Sequence, residues 1–295
     1  MRFSPSCFYT STVLFEGMAP ERVCTDKDFI TLKKKIFRST SLDLGQYKDS
    51  YLQRRIGVRM RCCGSKAYAD YSNFLDSNPK EYDQLMDDLT INVTQFFRDP
   101  IVFKAMEEEV LPLLIYDKIK HGKNDITVWS AGCSSGEEPY SIAIMLRELL
   151  GEELDKFDVK IIGSDIDDFS LDAAAAGRYL QRQVTNVKKE YLERYFTTEG
   201  EMLQISQDIM DMVDLRKIDL IASKPPARFD CIFCRNVVIY FTRDMQEHLY
   251  MKFHDSLNYG GYFVMGNTET LVGDASRLLT TFKSRERIYQ KPIPA

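Results

Sequence analysis

The segment Ile126–Leu150 constrains the fold of this chain more than any other part of it. An apolar run ends at Ser130, a turn with Gly132 and Gly136 follows, and Pro139 begins an amphipathic run. Glycine lets the backbone approach a ligand closely, and proline suits the first turn of a helix. The order therefore predicts a strand, a tight loop and a helix, the first crossover of a nucleotide-type α/β sheet.

Two acidic residues, Glu137 and Glu138, stand where that helix should begin. A helix N-terminus attracts anions, so a loop that holds a pyrophosphate should not place two carboxylates there. We expect instead a ligand that carries hydroxyl groups and positive charge.

Composition excludes several other classes of protein. No apolar run approaches the roughly 18–20 residues that cross a bilayer, so no direct membrane insertion is expected. Seven cysteines without a framework spacing favour reduced thiols and a cytoplasmic location. Cys231 and Cys234 form a CxxC within an apolar run, without a second cysteine pair, and the three histidines form no cluster. No metal is therefore expected.

Charge is distributed unevenly along the chain. Between Asp26 and Lys66 there are eleven Lys/Arg and four Asp, a local net charge of +7 in a chain whose net charge is −5. Apolar periodicity in the same region is helical. We therefore expect a loose tail over residues 1–20 and a basic helical domain over 21–92 that docks an acidic partner.

Residues 93–295 alternate between predicted strands and helices. This pattern is typical of an α/β Rossmann-like three-layer sandwich. It is interrupted at about 178–219, where short segments such as Met202–Ser206 and Met212–Leu215 predict a small antiparallel β insertion. A closing strand, Glu286–Gln290, is expected at a hairpin edge.

Polar segments follow three of the predicted strands. They are the Gly132–Glu138 loop, Asp165 and the run containing Asn236 and Tyr240. In an open α/β sheet, ligands bind beyond the carboxyl ends of the strands. Asp165 could accept hydrogen bonds from both hydroxyls of a ribose, or Asp165 and Asp167 could cap the following helix. Taken together, the three segments favour an adenosine-type cofactor.

Four motifs carry a closer resemblance. They are Asn92-x-Thr-x-Phe-Phe-Arg98, Gly-Glu-Glu-Pro-Tyr-Ser at 136–141, Ser-Asp-Ile-Asp at 164–167 and Phe-Cys-Arg-Asn-Val-x-Ile-Tyr-Phe at 233–241. From about residue 26 to the C-terminus, the chain resembles the chemotaxis receptor glutamate methyltransferases, the CheR family. The resemblance implies a class I methyltransferase domain that follows an all-helical domain.

The resemblance also implies S-adenosylmethionine as cofactor, S-adenosylhomocysteine as product, and glutamates on the cytoplasmic helical domains of chemoreceptors as substrate. Other chemotaxis signalling proteins are further expected partners, and nucleic acid is not. Arg98 and Tyr240 would lie nearest the transferred methyl group. The implied cofactor site comprises Asn92, Thr94, Arg98, Gly132, Glu138, Asp165, Asp219, Leu220, Arg235 and Asn236.

Two positions depart from the family pattern. Gly266-Asn-Thr-Glu269 stands where the family commonly has Gly-His-Ser-Glu, and Asp219 stands where Asn is common. The first departure leaves the role of that turn open. The second adds a charge and keeps the capacity to accept hydrogen bonds.

A basic run gives the helical domain its expected contact with substrate. On a helix, Arg54 and Arg61 share one face, while Arg55 and Arg59 flank the apolar stripe. Such a face could simply be solvated, but the resemblance favours docking onto an acidic receptor helix. The short turn within Phe196–Leu203 favours action without a receptor C-terminal tether.

Other functions stay open at this stage. A methyltransferase of the same fold could act on another protein or on nucleic acid, and an adenosylmethionine-binding module could lack catalysis. Enzymes that methylate amino nitrogens of nucleic acids often carry an Asp/Asn-Pro-Pro-aromatic motif after the fourth strand. Here that place holds Arg235-Asn236-Val237.

Overall fold

The computed structural model describes residues 26–40, 42–90 and 93–294. The predicted tail at 1–20 and the site residue Asn92 lie outside these ranges. Within them, no helix combines the length and the apolarity that crossing a membrane requires.

The N-terminal region is helical, as its periodicity predicts. Each helix buries one apolar stripe, so that Leu32, Ile36, Leu52 and Tyr71 are fully buried in one core. Spacing of three and four residues places these side chains on one helix face. The helices are α1 (Asp26–Thr40), α2 (Asp49–Cys62), α3 (Tyr68–Ser77) and α4 (Glu81–Leu89).

A long helix leads into the sheet. It consists of α5 (Pro100–Ala105), a π-helical turn over Met106–Val110 and α6 (Leu111–Lys120). The widened turn directly precedes Pro112, which has no N–H to donate to the preceding turn.

The central sheet has seven strands in the order β6-β2-β1-β7-β8-β10-β9, and the five strands from β6 to β8 are parallel. Alternate residues of β1 (Asp125–Ala131) enter two different cores. Val128 packs with residues of the helix Glu137–Leu150, and Trp129 packs with residues of the helix Arg243–Ser256. The sheet is therefore the middle layer of three. The sheet strands are β1 (Asp125–Ala131), β2 (Asp158–Asp165), β6 (Val213–Lys217), β7 (Phe229–Cys234), β8 (Leu257–Met265), β9 (Thr280–Lys283) and β10 (Ile288–Gln290).

The remaining helices and the small sheet complete the chain. The helices are α7 (Glu137–Leu150), α8 (Asp168–Ala176), α9 (Lys189–Tyr195), α10 (Gln207–Met210), α11 (Arg243–Ser256) and α12 (Ala275–Leu278). The small antiparallel sheet has the order β3-β5-β4 and consists of β3 (Arg178–Leu180), β4 (Phe196–Glu199) and β5 (Met202–Ile205).

Two strand predictions are wrong. Met212–Leu215 was expected in the antiparallel insertion, but β6 pairs in parallel with β2 and belongs to the central sheet. As an edge strand it is only partly buried, so it lacks the continuous apolar run of an inner parallel strand. The strand ending at Gln290 was expected at the edge, but it lies between β8 and β9. The edge strand is β9.

Candidate active site

A pocket lies at the carboxyl edge of the sheet, where the helical region covers it. It brings together the catalytic and cofactor-binding residues predicted from sequence that fall in the described ranges. These are Thr94, Arg98, Gly132, Glu138, Asp165, Asp219, Leu220, Arg235, Asn236 and Tyr240.

The loop after β1 is held against the end of β2. The N–H groups of Gly132 and Cys133 donate to the carbonyl of Ser164 at 2.8 and 2.9 Å. Gly132 has φ 80°, and a Cβ there would lie 2.4 Å from Cγ2 of Val237. Glycine is thus required both by the left-handed backbone and by the close approach of the loop after β7.

Asp165 is the main anchor of this loop. Its carboxylate accepts N–H groups of Ser134 at 2.8 Å, Ile166 at 2.8 Å and Asp167 at 3.1 Å. Burial raises its pKa above the ordinary value, and these three hydrogen bonds oppose the rise. A carboxylate has about four acceptor positions, so three are occupied and about one is left for a ligand hydroxyl.

Asp167, and not Asp165, caps the helix that follows this acidic segment. The side chain of Asp167 accepts N–H groups of Phe169 and Ser170 at the start of α8. Asp165 is therefore free of that role and lines the pocket.

The two glutamates at the start of α7 have separate surroundings. Glu138 lines the pocket and accepts the Ser130 hydroxyl at 2.7 Å. Glu137 is fully buried and accepts Ser135 Oγ and, at 2.6 Å, Nε2 of Gln183. Burial raises the pKa of Glu137. One acid of the pair thus lines the pocket, and the other attaches the loop to the small β insertion.

Arg235 connects the segment around Arg98 to α7. Its guanidinium donates to Asp99 at 2.6 Å, to the Arg98 carbonyl at 3.0 Å and to Glu138 at 3.2 Å. Only 1% of its side chain is exposed. Phe97 and Asp99, which flank Arg98, both have left-handed φ angles of 50° and 59°. Three hydrogen bonds thus hold the guanidinium of Arg235 to protein partners, whereas its Nε is buried without a partner.

A turn after β6 forms another wall of the pocket. Asp219 Oδ1 accepts N–H groups of Ile221 at 2.7 Å and Ala222 at 3.2 Å. Lys252 on α11 donates to the carbonyls of Leu220, Ile221 and Ser223, at 2.8, 3.0 and 3.1 Å. Burial lowers the pKa of Lys252. Sequence reasoning missed this lysine, because nothing in α11 marks it.

Tyr240 is held by the helical region. Its carbonyl accepts the Lys48 N–H at 2.9 Å, and its ring lies 4.6 Å from that of Tyr51 between centroids. Burial raises the pKa of Tyr240, against the opposing charges of Arg55, Arg98 and Arg54. The phenol therefore stays protonated near neutral pH.

Tyr47 also lines the pocket and forms an isolated antiparallel bridge with Phe241. Sequence reasoning missed Tyr47, because its partner lies nearly two hundred residues further along the chain.

The four arginines proposed for docking divide into three groups. Arg54 and Arg61 are exposed, and Arg55 is half-buried beside Tyr51. Arg59 donates twice to Glu81, at 2.8 Å each, and once to Asp88 at 3.3 Å. The guanidinium of Arg59 is thus bound within the helical region, and its docking role stays a prediction.

Glu81 is the buried partner of Arg59. Burial alone would raise its pKa, but hydrogen bonds from Arg59 and Tyr71 lower it below the ordinary value. The pair is thus ionised and stabilises the packing of α2 on α4.

Buried polar atoms test whether the pocket suits a polar ligand. Within the described ranges, five buried side-chain atoms have no hydrogen-bond partner: Arg55 Nε, Ser134 Oγ, Ser206 Oγ, Arg235 Nε and Asn236 Oδ1. Three of these atoms belong to residues that line the pocket, namely Ser134, Arg235 and Asn236. Because buried polar groups are nearly always satisfied, these atoms indicate hydrogen bonds completed by a ligand. The described residues contain no cluster of three His, Cys, Asp or Glu side chains that could hold a metal.

Comparison with known proteins identifies the family. The CheR methyltransferase all-alpha domain matches residues 27–90, and the CheR methyltransferase SAM binding domain matches residues 92–288. The chemotaxis protein methyltransferase of Borreliella burgdorferi is 32% identical over 255 residues, 85% of this chain and 90% of the relative.

Two further relatives bear the same name. The protein of Listeria monocytogenes is 32% identical over 88% of this chain and 96% of its own length. That of Escherichia coli K12 is 32% identical over 91% of this chain and 92% of its own length. The chain therefore belongs to the CheR methyltransferase family, whose SAM binding domain it contains, and S-adenosylmethionine is its cofactor.

Proposed function

We propose that this protein transfers a methyl group from S-adenosylmethionine to glutamate side chains of chemoreceptors, with S-adenosylhomocysteine as the second product. The acceptors would lie on the cytoplasmic helical domains of these receptors, and the product would be a glutamate methyl ester. The observation that carries the proposal is that Arg98 and Tyr240 line the same pocket as Asp165 and Glu138. The relatives named chemotaxis protein methyltransferase support it.

The chemistry requires positioning more than proton transfer. A glutamate side chain is already ionised near neutral pH, so no base has to activate it. S-adenosylmethionine supplies, when bound, a methyl group on a positively charged sulfur. Holding the reacting groups in the correct relative orientation can lower the activation barrier by roughly 7–11 kcal/mol. The protonated phenol of Tyr240 fits a shaping role, because the reaction needs no phenolate.

Arg98 is the proposed anchor of the substrate carboxylate. One of its N–H groups donates to the Val93 carbonyl at 2.8 Å, and a guanidinium carries five donors. The carboxylate loses its charge as the neutral ester forms, so a tight ion pair would oppose the reaction. Arg98 should therefore orient the carboxylate without binding it strongly.

The carboxylates of the pocket have proposed roles toward the cofactor. Asp165 has about one acceptor position left, which fits one ribose hydroxyl, fewer than the two first expected. Asp219 keeps Oδ2 beyond its two backbone hydrogen bonds. Glu138 carries the negative charge that suits a cationic ligand. Thr94 stays in the proposed site, as does Asn92, which lies outside the described residues.

Docking of the receptor is assigned to the exposed part of α2. Arg54 and Arg61 offer positive charge to an acidic helix, and the charge of Arg55 acts on Tyr240, whose pKa it helps to lower. Two residues, Gly200 and Glu201, join β4 to β5. This short turn supports action without a receptor tether, and tight binding of a receptor C-terminal peptide in calorimetry would contradict it.

The test uses labelled S-adenosylmethionine and membranes that contain chemoreceptors. Alkali-labile label released as methanol would identify a carboxyl ester. Arg98→Ala should lower turnover about 100-fold or more, while Arg285→Ala, at an exposed position, should leave it unchanged. Unchanged turnover in Arg98→Ala would remove the role given to Arg98. Alkali-stable label, or label in nucleic acid, would contradict the proposed substrate.

A further inference from the structure

Glu269 is a buried carboxylate behind the wall of the pocket. It ends the turn that follows β8 and is 2% exposed. Its Oε2 accepts the Gly266 N–H at 2.6 Å, and its Oε1 accepts the Val237 N–H at 3.1 Å. The backbone N–H of Asn236 also helps to lower the pKa of this carboxylate. One side chain thus bridges the segments that leave two neighbouring strands, β7 and β8.

The bridged segment has an uncommon backbone. Asn236 has φ 62°, in the left-handed region that residues other than glycine seldom adopt. Such a conformation costs free energy and persists only where the surroundings enforce it. Gly266 makes room for it, since a Cβ there would lie 2.9 Å from the backbone nitrogen of Asn236. The conformation places the buried, unpartnered Oδ1 of Asn236 at the pocket.

We propose that Glu269 is a positioning residue for the cofactor: its carboxylate holds the 236–237 backbone in the conformation that presents the Asn236 side chain to S-adenosylmethionine. This role concerns cofactor binding, which precedes any contact with the methyl acceptor. It therefore stands or falls independently of the proposed receptor substrate.

The charge state of Glu269 makes this role dependent on pH. Burial raises its pKa to about 7, against the hydrogen bond from Gly266 and the charge of Arg235. The other ionisable groups that face it are Cys234, Tyr240 and Tyr250, and the pKa of each is raised further above neutrality. Among these groups, Glu269 is thus the one that changes charge between pH 6 and pH 8.

The ionised form accepts at both oxygens, whereas the protonated form turns one oxygen into a donor that opposes a backbone N–H. Cofactor affinity should therefore fall with the ionised fraction of Glu269. For a pKa of about 7, that fraction falls about tenfold from pH 8 to pH 6.

Calorimetric titration with S-adenosylhomocysteine tests the proposal without any turnover. The wild-type chain should bind about tenfold more weakly at pH 6 than at pH 8. Glu269→Gln places an amide N–H₂ against a backbone donor, so it should bind about tenfold more weakly at pH 8 and show little further change at pH 6. Glu269→Asp, which keeps a carboxylate, should recover part of the affinity at pH 8.

Asp230 provides the matched control at the opposite end of β7. It is 5% exposed and accepts the Thr127 N–H at 3.0 Å and Asn258 Nδ2 at 2.8 Å. Asp230→Asn should lower the melting temperature but keep the wild-type affinity and its pH dependence.

The proposal is overturned if Glu269→Gln binds with wild-type affinity or keeps the tenfold pH dependence. Should that variant fail to fold, the wild-type chain and Asp230→Asn still decide the matter: an affinity that stays constant from pH 6 to pH 8 overturns it.

Discussion

The sheet-edge pocket and the exposed face of α2 hold their charges in opposite ways. Asp165 and Asp219 in the pocket, and Glu269 behind its wall, are bound by backbone N–H groups of the loops around them. On α2, Arg54 and Arg61 are exposed, and Arg59 is bound by carboxylate side chains. A charge bound to the backbone fixes the path of a loop. A solvent-exposed charge can attract a partner but does not fix the backbone. Substitutions in the pocket and on the exposed face of α2 should therefore have different effects on stability and binding.

The largest effect should come from Arg59, the arginine of α2 that resembles the pocket in being buried. Arg59→Ala leaves Glu81, whose side chain is 8% exposed, without its cationic partner. Loss of one member of a buried pair typically costs about 3–5 kcal/mol, so we expect a loss near the lower end of that range. Denaturant unfolding measures it.

Arg54→Ala is the matched control on the same helix and should change the free energy of unfolding by less than about 0.5 kcal/mol. Equal losses in the two variants would contradict the distinction between bound and solvated arginines.

An intermediate effect is expected at Asp165. Asp165→Asn places an amide N–H₂ against backbone N–H groups that now donate to a carboxylate. An unsatisfied buried donor costs about 1–3 kcal/mol, so affinity for S-adenosylhomocysteine should fall about 30-fold in calorimetry.

Asp167→Asn, two residues further on, is the matched control. Asn caps a helix about as well as Asp, so the affinity should change less than about twofold. If both variants bind alike, the loop after β1 does not depend on Asp165.

The smallest effect should come from the exposed arginines. Arg61→Glu should slow receptor methylation several-fold at low ionic strength, because it weakens attraction to an acidic partner. At about 1 M salt, where the Debye length is about 3 Å, the difference should largely vanish. Affinity for S-adenosylhomocysteine should not change. If Arg61→Glu slows methylation equally at both salt concentrations, Arg61 makes a direct contact inside the site and does not act by long-range attraction of the partner.

The sequence predicts the pocket better than the docking face, and the reason is physical. Asp165 and Asn236 each follow a parallel strand, so the topology of the sheet brings them to one edge. The partner of Arg59 lies 22 residues away on another helix, and helical periodicity does not reveal it. The sequence does not reveal the contacts of Lys252 either, because its partners are backbone carbonyls of a turn about 30 residues away.

Edge strands show the limit of reading periodicity alone. The partly polar β6 was assigned to the small sheet, because an edge strand of a parallel sheet alternates in burial like an antiparallel one. Whether such a strand belongs to the parallel or the antiparallel sheet depends on the strand it pairs with, which the sequence pattern does not reveal.

The bridge between Tyr47 and Phe241 affects whether the two domains of this protein can be exchanged separately between relatives. The matched domains meet near residue 91, yet the sheet-edge pocket takes Tyr47, Leu89 and Thr90 from the first of them. The Tyr240 carbonyl also depends on that half for its hydrogen bond. Exchanging the helical half between relatives would therefore also replace part of the pocket wall. Chimeras should take both Tyr47 and Phe241 from one parent.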